Sequence, residues 1–210
     1  DTIIGNDDND AVANVPRNDN DMEAVIQAFW CMEKCHLSDQ AHMLYRHILE
    51  LQESHNGEHN IPIPIHVFTA MIRLYQREDR RADIKNLIDD FIRVNHGLSQ
   101  LNFSKLTALF LTVLDWPMAG TKNGKRVAKT GPIMGYVCEK ILEAKKVGYR
   151  PPSQLWSQLL RGLTIGSKNH TDQEDYFRVM KNALMGALEQ YSWFCPNPSI
   201  LKQGLRVAKA

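Results

Sequence analysis

The sequence predicts an all-α chain of antiparallel helical hairpins stacked into an α-solenoid, and three observations carry that reading. From Glu23 onward the large apolar residues recur at spacings of three and four, not two. No stretch alternates valine, isoleucine or threonine with polar residues between turn signals. Glycine, proline and asparagine interrupt the pattern at short intervals, so successive helices are joined by few residues and neighbours run antiparallel.

The elements follow in order. A first helix is expected over 22–37, and Asp39, after Ser38, can cap a second over 39–54. His55-Asn56-Gly57 and Pro62/Pro64 break the pattern before a third over 64–77, with Ile65, Phe68, Met71, Ile72 and Tyr75 on one face. A polar turn from Arg77 to Arg81 leads to 80–95, whose face is Ile84, Leu87, Ile88, Phe91 and Ile92; Asn95-His96-Gly97 ends it in the usual glycine manner. Phe103, Leu106, Leu109, Phe110, Val113 and Leu114 mark a helix over 101–115, closed by Trp116-Pro117. A Gly/Lys-rich insertion at about 117–131 precedes a helix over 131–147, marked by Tyr136, Val137, Ile141 and Leu142 and stopped by Gly148. Pro151-Pro152-Ser153 opens 153–165 at its first turn, with Leu155, Trp156, Leu159, Leu160 and Leu163 facing inward. Helices over 172–191 and 198–209 complete nine, or about four and a half hairpins. A hairpin cannot bury its apolar stripe alone, whereas stacked hairpins bury a continuous one.

With 210 residues, 24.0 kDa and 43% hydrophobic content, the chain can bury a core without disulfides or metal, which excludes collagen and a disulfide-knotted peptide. Four cysteines point to a reducing compartment. No apolar run approaches the ~20 residues that span a bilayer.

The net charge of +1 hides an asymmetry: residues 1–105 hold 10 Lys/Arg against 17 Asp/Glu, and residues 106–210 hold 15 against 7. Residues 1–21 read as an acidic, disordered tail ahead of the helical domain 22–210. Between Gly120 and Arg150, eight bases stand against two acids, an anion-facing stretch that includes Lys122, Lys125, Arg126, Lys129, Lys145, Lys146 and Arg150.

Phe68 and Phe103 hold equivalent places 35 residues apart. Around the step from Gly148 to Leu163, a glycine ends the returning helix, Arg150-Pro151 follows, and Trp156, Ser157 and Leu159-Leu160 begin the next entering helix. Val67 to Ile72 fits the same helix start with Thr69 in the small polar place, and Asn102-Phe103-Ser104 fits it more loosely. This pattern resembles the pentatricopeptide repeat family over about residues 22–210, in a degenerate form with Pro152 in place of an acid. Tetratricopeptide repeats are the nearest alternative, since their period fits nearly as well, although their Trp-Leu-Gly-Tyr pattern is not found.

The resemblance implies reading of single-stranded RNA, one base per repeat, by two or three side chains. It pairs Thr69 with Gln100, Ser104 with Pro152, and Ser157 with Asn197; Pro152 cannot read a base edge and Gln100 is atypical. The expected role is RNA or ribonucleoprotein binding in organellar gene expression, in the mitochondrial matrix, with single-stranded RNA or the mitochondrial ribosome as partner. The alternative is a protein–protein scaffold of the tetratricopeptide kind.

Other chemistry finds little footing. The segment from Gly120 to Arg126 is similar to a phosphate-binding loop but follows a helix and lacks the hydroxyl residue after its lysine. Cys31, Cys35 and His36 have no second ligand pair at metal spacing, so the cysteines read as part of a buried apolar face. Asp89-Asp90 read as a solvated helix face. No nucleophile–base constellation emerges, so no enzyme, cofactor or metal is expected.

Overall fold

The computed structural model describes residues 19–54, 63–115, 131–166 and 173–191. These residues form eight helices and no strand: α1 (Asp19–Cys35), α2 (Ser38–Ser54), α3 (Ile65–Arg77), α4 (Arg81–Val94), α5 (Phe103–Leu114), α6 (Gly131–Lys146), α7 (Ser153–Gly166) and α8 (Gln173–Gln190). The acidic tail, the insertion at 117–131 and the ninth helix at 198–209 lie wholly or almost wholly outside the described residues. α1 begins at Asp19, inside the segment assigned to the tail.

The helices fall into two rows. The odd-numbered helices pack in succession, α1 on α3, α3 on α5 and α5 on α7. The even-numbered ones flank them: α2 lies against α1 and α3, α4 against α3 and α6, α6 against α7 and α8, and α8 against α7. The core runs between the rows. Phe68 of α3 meets Tyr45 of α2 edge to face at 5.8 Å and Phe91 of α4 at 5.0 Å, so three aromatic rings tie three helices. Phe68, Phe91, Phe110 and Trp156 are fully buried, as the spacing of the apolar residues requires.

The turns explain why the rows keep step. Asp79 (φ 61°) and His96 (φ 61°) take left-handed backbone just past α3 and α4, and Gly97 (φ 85°) follows the second. α6 stops where Gly148 takes φ 99°, allowing the Tyr149 amide to donate back to the Ala144 carbonyl at 3.0 Å. Tyr149 is thereby delivered to α5, with its ring 5.2 Å from Phe103 and its hydroxyl 2.8 Å from Thr107 Oγ1. Across α3 and α5, Gln76 Nε2 donates to the Thr112 and Val113 carbonyls at 2.9 and 3.2 Å, covering acceptors that the end of α5 leaves open.

Each junction of the even row carries its own ion pair. Arg93 (α4) meets Glu53 (α2) at 2.6 Å, Lys140 (α6) meets Asp89 (α4) at 3.5 Å, and Lys145 (α6) meets Glu189 (α8) at 3.2 Å. Tyr45 donates to Asp90 at 3.1 Å and Tyr136 donates to Asp89. The adjacent acids Asp89-Asp90 are therefore ties between helices, where the sequence pattern alone marks a solvated face. Exposed pairs of this kind contribute roughly 0–1 kcal/mol each, and their larger effect is on register.

Candidate functional site

The charge of the odd row is set helix by helix. α3, α5 and α7 contain Arg73, Arg77, Lys105 and Arg161 and no acidic residue at all. Each even-numbered helix carries two or three acidic residues. The connection from Asn95 to Asn102 before α5 and the one from Val147 to Pro152 before α7 are also free of acids, and the second adds Arg150. Among the described residues, the only ion pairs made by side chains of α3, α5 and α7 are those of Arg73 and Arg77 with Glu33 of α1, at 3.4 and 3.8 Å. One buried carboxylate thus faces two guanidiniums, and α3, α5 and α7 keep a positive excess. A polyanion lying across the bodies of α3, α5 and α7 meets no acidic residue of those helices, the nearest acids being Glu78, Asp79 and Asp115 at the C-terminal ends of α3 and α5, whereas the even-numbered helices interleave both signs.

The three small polar residues singled out by the helix starts lie on this row. Thr69, Ser104 and Ser157 sit on α3, α5 and α7, which pack one on the next. Ser104 and Ser157 are exposed and Thr69 half-buried. The Thr69 hydroxyl donates to the His66 carbonyl at 3.1 Å and the Ser157 hydroxyl to the Ser153 carbonyl at 2.9 Å. Such bonding within the helix occupies the single donor and leaves lone pairs for an incoming donor. The amide of Ser104 is held by Asn102 Oδ1 at 2.9 Å, in the N-cap of α5.

The expected second partners fare differently. Gln100 is exposed in the turn before α5. Pro152 gives its carbonyl to the amides of Leu155 and Trp156 and serves as the lead into α7. Asn197, Lys122, Lys125, Arg126 and Lys129 lie outside the described residues. Lys145 is committed within the fold: its ammonium reaches the Gly186 carbonyl at 3.0 Å and Glu189 at 3.2 Å, and lies 5.8 Å from the Trp156 ring centroid. Lys146 and Arg150 are exposed. Lys145, Tyr149, Arg150, Gln190 and Tyr191 line a cleft of about 760 Å³ where α6 and α8 end. Gln190 and Tyr191 are held by the Pro151 carbonyl, which accepts from Gln190 Nε2 at 2.9 Å and the Tyr191 hydroxyl at 3.1 Å.

Cysteine placement departs from the sequence reading. Cys31 and Cys35 are exposed, because the inward stripe of α1 runs through Val25, Phe29 and Met32. Among the described cysteines Cys138 is the buried one, and burial pushes its thiol up to about 12. Among the described residues no group of three or more His, Cys, Asp or Glu could hold a metal ion, and no helix is long and apolar enough to cross a membrane.

Two features of this face escape the sequence pattern. Trp30 on α1 is exposed, beside His66 on α3. The absence of acids from α3, α5 and α7 is invisible in a charge balance over halves of the chain and emerges only helix by helix. The chain matches no protein-family model, no curated protein and no solved structure.

Proposed function

We propose that the chain is a pentatricopeptide-like α-solenoid of antiparallel hairpins whose entering helices, α1, α3, α5 and α7, form a face that binds single-stranded RNA or ribonucleoprotein. The observation that carries this reading is the segregation of charge, with α3, α5 and α7 free of acids and the flanking row rich in them. The recurrence of Thr69, Ser104 and Ser157 in successive odd-numbered helices supports it further. Phosphate neutralisation provides the affinity, and the small polar side chains touch base edges. The degenerate second positions favour positioning of RNA or of an RNA-containing particle over base-by-base decoding. An organellar setting in the mitochondrial matrix, with a role in RNA processing, translation or ribosome association, rests on the family resemblance.

The test is the salt dependence of binding to a labelled single-stranded RNA, read by fluorescence anisotropy. Reversing Lys105 and Arg161 to glutamate lowers the slope of log affinity against log salt by about 0.7 for each phosphate no longer neutralised. Reversing Arg46 of α2 and Lys181 of α8, which lie on the even row, leaves the slope unchanged. Equal losses of affinity from both pairs would show non-directional charge attraction and refute the assignment of a face. A scaffold of the tetratricopeptide kind predicts capture of a protein partner that neither pair of reversals alters.

A further inference from the structure

We propose that Trp30 and His66 form a stacking platform for one RNA base at the α1–α3 end of the face, an inference that rests on the RNA-binding reading above. Trp30 is 42% exposed, although its sequence neighbour Phe29 and the large aromatics Phe68, Phe91, Phe110 and Trp156 are essentially fully buried. The core therefore had room for its aromatics, and this one stands outside it. The exposed ring of His66 lies 6.0 Å from that of Trp30 at an interplanar angle of 78°. A perpendicular pair leaves at least one face of each ring uncovered by the other, and every base offers a π-face to such a surface.

What surrounds the pair selects a nucleic acid over an apolar occupant. Arg73 follows His66 by two turns along the same exposed stripe of α3, roughly 10 Å along the axis, and Arg77 comes one turn later. Both guanidiniums touch Glu33, whose side chain is 9% exposed, while their own side chains are 51% and 43% exposed. Arg77 Nη1 is further engaged, donating to the Glu33 carbonyl at 2.6 Å and lying 3.1 Å from His36 Nδ1. A planar guanidinium has five donors, so Arg73, which meets Glu33 through Nη1, keeps the most for phosphate oxygens and Arg77 adds its charge. Thr69 lies between His66 and Arg73 in sequence, one turn from each. The strip thus reads, in order, as aromatic pair, hydroxyl and two guanidiniums: base, base edge and backbone.

The experiment uses the full chain and two probes, a fluorescein-labelled single-stranded RNA of mixed sequence and inorganic polyphosphate, which has the charge but no bases. Trp30→Ala weakens RNA binding about tenfold, within the usual range for one base stacked on an aromatic ring, and leaves polyphosphate binding unchanged. Trp30→Phe restores most of the loss, because a smaller ring still stacks. RNA binding unaffected by Trp30→Ala would overturn the platform and leave the RNA-binding face standing. Equal weakening of RNA and polyphosphate would also overturn it, by assigning the effect to structure or charge. A wild-type chain that binds no RNA would overturn both.

Discussion

At the residue scale, the clearest demand for one amino acid is made at Gly186. A Cβ there would stand 2.8 Å from Trp156 Cη2 and 3.2 Å from Leu142 Cδ2, so α8 can lie against the indole only because this position has no side chain. Gly135 is the contrast, since a Cβ there meets only Val179 Cγ2 at an ordinary 3.6 Å. Gly135→Ala is expected to stabilise the fold by up to about 1 kcal/mol, from helix propensity alone. Gly186→Ala is expected to destabilise it by roughly 1–3 kcal/mol, because overpacking against a rigid ring exceeds that gain. Thermal or urea unfolding of the two variants reads the opposite signs, and a stabilised Gly186→Ala would show that Trp156 is not seated there. No sequence pattern separates these two glycines. The distinction lies in which helix arrives opposite each one, and that is a tertiary property.

At the element scale, most of the helices were legible, because their apolar stripes and stop signals agree. The Asn95-His96-Gly97 and Gly148 stops fall where α4 and α6 end, with positive φ at His96, Gly97 and Gly148. Boundaries shifted where a cap decides them: α5 starts at Phe103, two residues later than its apolar pattern suggests, because Asn102 accepts from the amides of Ser104 and Lys105. Asn102→Ala is expected to lose about 1 kcal/mol of stability, with Asn102→Asp retaining most of it; unfolding midpoints measure both, and an unchanged Asn102→Ala would show that the cap does not hold the start of α5. Trp30 was not legible as a surface residue, since it sits next to Phe29 and Cys31 in a run that reads as apolar throughout. Only the direction in which α1 meets α3 decides that Phe29 turns inward and Trp30 outward. The exposure of Cys31 and Cys35 has the same cause.

At the scale of the whole molecule, the sequence announced helices and their spacing, but the division of labour between rows depends on which helices become neighbours. The even row uses its charges internally, one ion pair at each junction, so it holds register and offers mixed charge to solvent. The odd-numbered helices have their acids confined to α1, which holds Asp19, Asp21, Glu23 and Glu33, and of these Glu33 is paired with Arg73 and Arg77. The basic stretch 120–150, prominent in the sequence, divides on folding: Lys140 and Lys145 are tied to acids of the even row, and Lys146 and Arg150 stay exposed. The central claim is that RNA meets the odd row, and ultraviolet crosslinking of the bound chain followed by peptide mass spectrometry tests it most directly. The account predicts crosslinked peptides from 65–77, 103–114 and 153–166, with Trp30 among the modified residues. Crosslinks confined to 38–54, 81–94 and 173–190 would contradict it.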